Sequence, residues 1–252
     1  MIIDAHAHID EVLALGWVDP PEKAVSLMDG AGIDRAVVST YSNLPGINPK
    51  AMEYVADAVA RYPTRFIPYI RLDPWYGDGA IAVLRRAVLE HGFKGVKLHP
   101  PHYTLHPHGE QTVAILREAG RLGVPVLFHC ADEVMSLPLQ VGEGARQAPD
   151  TTVILGHMGG FFHTADAFTV AERYPNLMLD TCEMPYPRAI REATERIGPD
   201  RVLFGTDLPT DNPTLEVEKV RLAGLSPEVE EKVFWSNIAR VLRLSDVGGT
   251  GS

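Results

Sequence analysis

TTVILGH, residues Thr151–His157, is a run of apolar residues that breaks only when it reaches a glycine and a histidine. A strand with one wet face alternates apolar and polar residues. One covered on both faces does not, and unbroken apolar strands belong to parallel sheets flanked by helices. VPVLFH, ending at His129, repeats the pattern one unit upstream. Between the two runs lies a helical stretch, Pro138–Gln147, with proline at its start, where the missing N–H costs nothing. Working outward, the other strands are Ile2–His8, Ile33–Thr40, Arg65–Leu72, Phe93–His99, Leu177–Thr181 and Arg201–Thr206. Helical patterns fall between and after them, over Pro21–Gly30, Lys50–Arg61, Ala80–His91, Gln111–Leu122, Ala165–Tyr174, Arg188–Ile197, Leu215–Leu222 and Pro227–Leu244. Eight strand–helix units in 252 residues predict an α/β protein of the closed (β/α)8 TIM barrel type rather than an open doubly wound sheet. No linker or repeat divides the chain, so one domain is expected over residues 1–246, with a disordered tail, VGGTGS, over Val247–Ser252.

Composition narrows the partners. A formal net charge of −10 lacks the basic face that nucleic-acid binding needs. No apolar run approaches the roughly 20 residues of a membrane span, and MIIDAHAHID carries no secretory signal. The two cysteines, Cys130 and Cys182, form neither a CxxC pair nor a disulfide framework, which fits a reducing cytoplasm. A small-molecule substrate is expected, and a homo-oligomer is compatible with the sequence.

The histidines carry the chemistry. Side chains alternate along a strand, so His6 and His8 in DAHAH share a face, about 6–7 Å apart from twice the ~3.3 Å rise. Lys97 and His99 share a face of the fourth strand. His129 ends the fifth, His157 the sixth, and Asp207 the eighth. In a (β/α)8 barrel the C-terminal strand ends converge on one mouth, where active sites lie. Imidazoles with a carboxylate suit a divalent ion, zinc foremost, with manganese, iron and cobalt open. His6, His8, Lys97, His99, His129, His157 and Asp207 are the candidates to hold it or face it. His102, His106 and His108 read as solvated loop residues, Cys182 and Glu183 as candidates to line the mouth, and Asp4 as packing within a barrel layer. Phe161, Phe162 and Phe168 read as core.

These residues sit in motifs that resemble the amidohydrolase superfamily, specifically its amidohydrolase-related group of TIM-barrel metal-dependent hydrolases. MIIDAHAHI resembles the opening HxH strand, GFKGVKLHP the fourth, LFHC and LGHMGG the fifth and sixth. RYPNLMLDTC and GPDRVLFGTDLP are similar to the last two, and VFWSNIARVLRL to the final helix, with Ile238 where the group usually has Ala. The resemblance implies that His6, His8, His129 and Asp207 are the metal ligands, that Asp207 is also the base toward a metal-activated water, and that His157 holds a second ion or polarises a carbonyl. It also implies two possibilities for Lys97, because binuclear relatives carboxylate a lysine in a strand like GVKLHP. One tightly held ion is expected here, with an unmodified Lys97 and His99 facing substrate.

The reaction expected on this basis is hydrolysis of an amide, lactone or ester. The alternative is non-oxidative decarboxylation of an aromatic or semialdehyde acid, for which Lys97, Arg71 or His99 would supply the cation. Many decarboxylase relatives are longer, which favours hydrolysis for so compact a chain. A non-catalytic metal-binding barrel is the remaining reading.

Overall fold

A computed structural model of the protein describes residues 1–12, 16–41 and 49–245. The expected tail from Val247 lies outside these residues. Eight parallel strands lie in one sheet in chain order: β1 (Ile3–His8), β2 (Arg35–Ser39), β3 (Phe66–Arg71), β4 (Gly95–Leu98), β5 (Val126–Phe128), β6 (Val153–Leu155), β7 (Leu177–Asp180) and β8 (Val202–Leu203). The sheet closes on itself. Ala5 N–H donates to the Phe204 carbonyl (2.9 Å), Asp207 N–H to that of His6 (2.8 Å), and His8 N–H to that of Leu208 (2.8 Å). Asp4 adds a side-chain clasp across the same seam, its Oδ2 accepting from Thr206 Oγ1 at 2.6 Å and its Oδ1 from Thr206 N–H at 3.1 Å. The fold is therefore a (β/α)8 barrel.

Helices α1 (Pro21–Ala31), α2 (Pro49–Arg61), α3 (Asp78–His91), α4 (Glu110–Leu122), α5 (Pro138–Arg146), α6 (Thr164–Arg173), α7 (Pro187–Ile197) and α8 (Pro213–Leu222) wrap the outside. None of the described helices is long and apolar enough to cross a membrane. Two departures from the sequence reading stand out. Asp10–Val12 pairs antiparallel with Trp17–Asp19 as a small hairpin after β1. The last helical stretch is interrupted over Lys232–Ser236 by a π turn, between helices Pro227–Glu231 and Asn237–Val241.

Period-two alternation divides the buried side chains into two layers. Residues such as Val38, Val96, Phe128 and Leu155 face outward against the helices. Val37, Ile67, Tyr69, Leu127, Ile154, Met178 and Leu203 fill the barrel, joined from below by Ile238, Ala239 and Leu242 of the last helix. Gly95 is what lets Tyr69 in: a Cβ there would stand 2.3 Å from the ring. Apolar side chains and Tyr69 fill the lower barrel, which leaves the upper rim for a polar site.

Candidate active site

The inward alternation that buries Ile67 and Tyr69 next places Arg71, and after Gly95 comes Lys97. The two residues are register partners on β3 and β4. His129 follows Leu127 in the same way, and Asp180 follows Met178 on β7. Together with His8, Tyr41, His99, Pro101, His102, Glu133, Glu183 and Asp207, the upper residues Arg71, Lys97 and His129 line a cavity of about 350 Å³. His6 and His157 are buried beside it.

Three donor atoms meet at one point, since His6 Nε2 and His8 Nε2 each stand 3.1 Å from Asp207 Oδ1. His6 Nδ1 is 2.9 Å from Asp180 Oδ2. With its proton on Nδ1, His6 presents a bare Nε2 to the Asp207 oxygen, two lone-pair atoms that need a cation between them, and Lys97 Nζ is hydrogen-bonded to the same Nε2. A divalent ion fits as well, because ligand bonds of about 2.1 Å meeting near a right angle put donor atoms about 3 Å apart. His8 is oriented from behind by Ser39 Oγ, 3.2 Å from its Nδ1. Ligating imidazoles are ordinarily braced through their other nitrogen in this manner. Two overlapping groups, His157–Glu183–Asp207 and His6–His157–Cys182, also bring candidate donor atoms together.

Space for His6 comes from a missing side chain. A Cβ on Gly156 would lie 2.6 Å from the Phe128 carbonyl and 3.1 Å from the His6 ring. Just beyond, His157 (φ 62°), Glu183 (φ 55°) and Asp207 (φ 55°) all adopt left-handed backbone at the ends of three successive strands. Such residues typically cost about 1–3 kcal/mol each and persist where surrounding bonds hold them. Here His157 N–H donates to Asp180 Oδ1 (2.8 Å), and the His157 Nδ1 pairs with Glu183 Oε2 (2.8 Å).

Electrostatics follow from burial and crowding. Burial alone would raise the Asp207 carboxyl, but the His8 hydrogen bond and the charges of His8, His157 and Lys97 outweigh it and hold it well below the usual range. Burial pulls Lys97 down to about 8 and Arg71 to about 10. His6 is held neutral by burial and by the Lys97 charge. Burial also opposes charge on His157, yet Glu183 and Asp207 raise it overall.

His129 stands apart from the three-donor group. Its Nε2 lies 3.0 Å from Glu133 Oε2, and its ring packs edge-on to His157 at 4.6 Å between centroids. On its other side His99 stacks at 4.1 Å, and His102 continues the stack at 3.6 Å. His102 is thus no simple solvated loop residue, because Arg71 Nη2 is 2.8 Å from its Nδ1 at the cavity wall. His106 and His108 stack on each other outside the cavity lining. Phe168 is core as expected, but Phe161 and Phe162 are exposed, at 57% and 84%. Asp132 accepts from both of their backbone N–H groups and holds that loop at the surface, away from the core. Asp180, Ser39 and Glu133 went unmarked in the sequence. Only Asp180 left a signal there, as an acid closing the otherwise apolar run LMLD.

A barrel with imidazole and carboxylate donors converging at its C-terminal mouth, beside buried cations and an acid–base pair, is an open reactive site rather than a closed structural one. The chain belongs to the amidohydrolase family, whose model matches residues 3–244. It is similar to the γ-resorcylate decarboxylase of a Polaromonas species, 23% identical over 291 residues, covering 90% of this chain and 89% of the relative. Among solved structures, it resembles 2,6-dihydroxybenzoate decarboxylase from Rhizobium (TM-score 0.76, 20% identity, 96% of this chain and 98% of that one). It also resembles 5-carboxyvanillate decarboxylase from Novosphingobium aromaticivorans, complexed with manganese and a nitrobenzoic acid (TM-score 0.78, 17% identity, 97% and 96%).

These relatives overturn the expectation of hydrolysis and favour decarboxylation, the alternative reading. Compactness was a poor guide: the shared fold runs along 98% of a decarboxylase chain and 96% of this one. Zinc has no particular support from them either.

Proposed function

We propose that this protein is a metal-dependent decarboxylase that removes carbon dioxide from a small hydroxylated aromatic acid. The observation that carries the reading is the pair of buried cations, Arg71 and Lys97, side by side in the cavity that Asp207 borders. Such a pair recognises an anion, and the similarity to γ-resorcylate decarboxylase over nine-tenths of both chains supports a carboxylate as that anion.

His6, His8 and Asp207 would hold one divalent ion, with His129 the fourth candidate on exchanging its Glu133 partner, and manganese is favoured by the relative that carries it. When bound, the ion supplies positive charge against the oxygen atoms of the substrate. The guanidinium of Arg71, a planar fork of donors, fixes the substrate's orientation. Lys97 and the neutral His99 pack around it and exclude water. Asp207, ionised at rest, would take up a proton from solvent and deliver it from its carboxyl to the ring carbon that bears the carboxyl group. That carbon–carbon bond then breaks, its electron pair restores the aromatic ring, and carbon dioxide leaves, so that one carboxylate and one proton give one arene and one CO2. His157, paired with Glu183, steadies the charge of Asp207 beside it.

The test is to load the protein with manganese and incubate it with hydroxylated benzoates, including 2,6-dihydroxybenzoate and 5-carboxyvanillate. Carbon dioxide and the matching phenol are expected in equal amounts from at least one acid. No CO2 above the protein-free rate across the panel, from protein with bound metal, would overturn the reading.

A further inference from the structure

The Asp180 carboxylate is fully buried, and its two oxygens face different donors. Oδ2 lies 2.9 Å from His6 Nδ1, which Cys182 Sγ also approaches at 3.1 Å. Oδ1 accepts from the backbone N–H of His157 at 2.8 Å, from that of Cys182 at 3.3 Å, and from Cys182 Sγ at 3.0 Å. Two of those Oδ1 donors are backbone N–H groups, which cannot turn round. On the far side of the His6 ring, Lys97 Nζ bonds Nε2, which agrees with a bare Nε2 and a protonated Nδ1.

We propose that Asp180 is a positioning residue that sets the tautomer of His6, placing the proton on Nδ1 so that the Nε2 lone pair points at Asp207 and His8. The same carboxylate anchors the left-handed turn at His157, so one buried group fixes both an imidazole's proton and the neighbouring strand end. Neither role is visible from the cavity, because Asp180 does not line it.

The arrangement makes an asymmetric prediction for Asp180→Asn. Asparagine has one acceptor oxygen and one NH2 group. The oxygen must stay where the two fixed backbone donors and the thiol converge. The NH2 then turns to His6 Nδ1, which can receive it only as an acceptor, and the His6 proton moves to Nε2. Shape and the turn at His157 are kept while the tautomer reverses, much as an Asn in place of a triad Asp leaves its histidine in the wrong tautomer.

Histidine-15N-labelled protein, stripped of metal with chelator, gives the readout through two-bond proton–nitrogen correlations, with the His6 signals identified by their loss in His6→Gln. The wild type is expected to be protonated at Nδ1 and bare at Nε2. Asp180→Asn should show the reverse, and Cys182→Ala, which removes the thiol beside Nδ1 but leaves both Asp180 oxygens in place, should match the wild type; a reversed tautomer there would assign the proton to the thiol instead. A wild-type His6 protonated at Nε2, or an Asp180→Asn protein with the wild-type tautomer, would overturn the proposal. Should Asp180→Asn fail to fold, the wild-type spectrum still decides. Titration with Mn(II) alone adds a second measurement, with affinity expected to fall about 10–100-fold in Asp180→Asn. Only this affinity change depends on the ion site proposed above. A reversed tautomer with unchanged Mn(II) affinity would refute that site and support the control of His6 by Asp180.

Discussion

Asp207 answers to two demands at once, donor to an ion and carrier of a proton, and a single substitution separates them. Asp207→Asn keeps the shape and one oxygen toward His6 and His8 but cannot exchange the proton. A general acid–base contribution is typically ~10²–10⁴-fold, so kcat for CO2 release should fall by about that much while part of the metal stays bound. His6→Ala with His8→Ala should instead strip most of the metal, since two of the three converging donors vanish. Elemental analysis of both variants beside the rate separates the two effects. An Asp207→Asn protein within a few-fold of the parent rate would remove Asp207 from the proton path. At this scale the histidines were legible because HxH on one strand and His or Asp at later strand ends form a pattern. Ser39 and Glu133 were not, and the acid that closes LMLD named no partner until the fold brought His6, 174 residues away, to the side of Asp180.

Helix α8 shows the same limit one scale up. Glu216 and Lys219 look like a solvated i, i+3 pair, and pairs of that kind are usually worth little. In the fold both are buried and bonded to each other, the carboxylate accepting from Lys219 Nζ at 2.5 Å. Burial pushes Glu216 up to about 7 from an ordinary 4.5. The folded protein therefore binds more protons than the unfolded chain between those values, and stability is lost as pH rises through that window. Relative to Glu216→Gln, the wild type should be most stable near pH 4.5 and lose that advantage up to about pH 7, with no further change above. Thermal melts of the two proteins at stepped pH check this, and a difference that grows with pH would contradict it.

For the molecule as a whole, closure and filling are separate problems. Hydrogen bonds from Ala5, His8 and Asp207 join the first strand to the last segment, while Ile238, Ala239 and Leu242 stop the lower end with side chains from the very end of the fold. Ile238 is wholly buried there, far along the chain from every residue of the cavity. Ile238→Ala should cost about 2–5 kcal/mol in chemical denaturation, with CO2 release per folded molecule unchanged. A loss of activity at full folding would show that the plug reaches the upper rim.

Strand and helix order could be read from local pattern, because a strand covered on both faces must be apolar whatever it later touches, and eight such strands with helices between them have few ways to bury themselves. The HxH pair was equally local, being set by the two-residue period of one strand. Which atoms meet was a different matter. That Asp207 faces His6 and His8 while His129 turns to Glu133, that His102 joins the cavity wall through Arg71, and that Phe161 and Phe162 stay outside depend on barrel closure and on the exact rotation of each strand end. Apart from the His129–Glu133 pair, four residues apart, those choices are made by contacts between residues 29 to 199 positions apart, and no local periodicity encodes them.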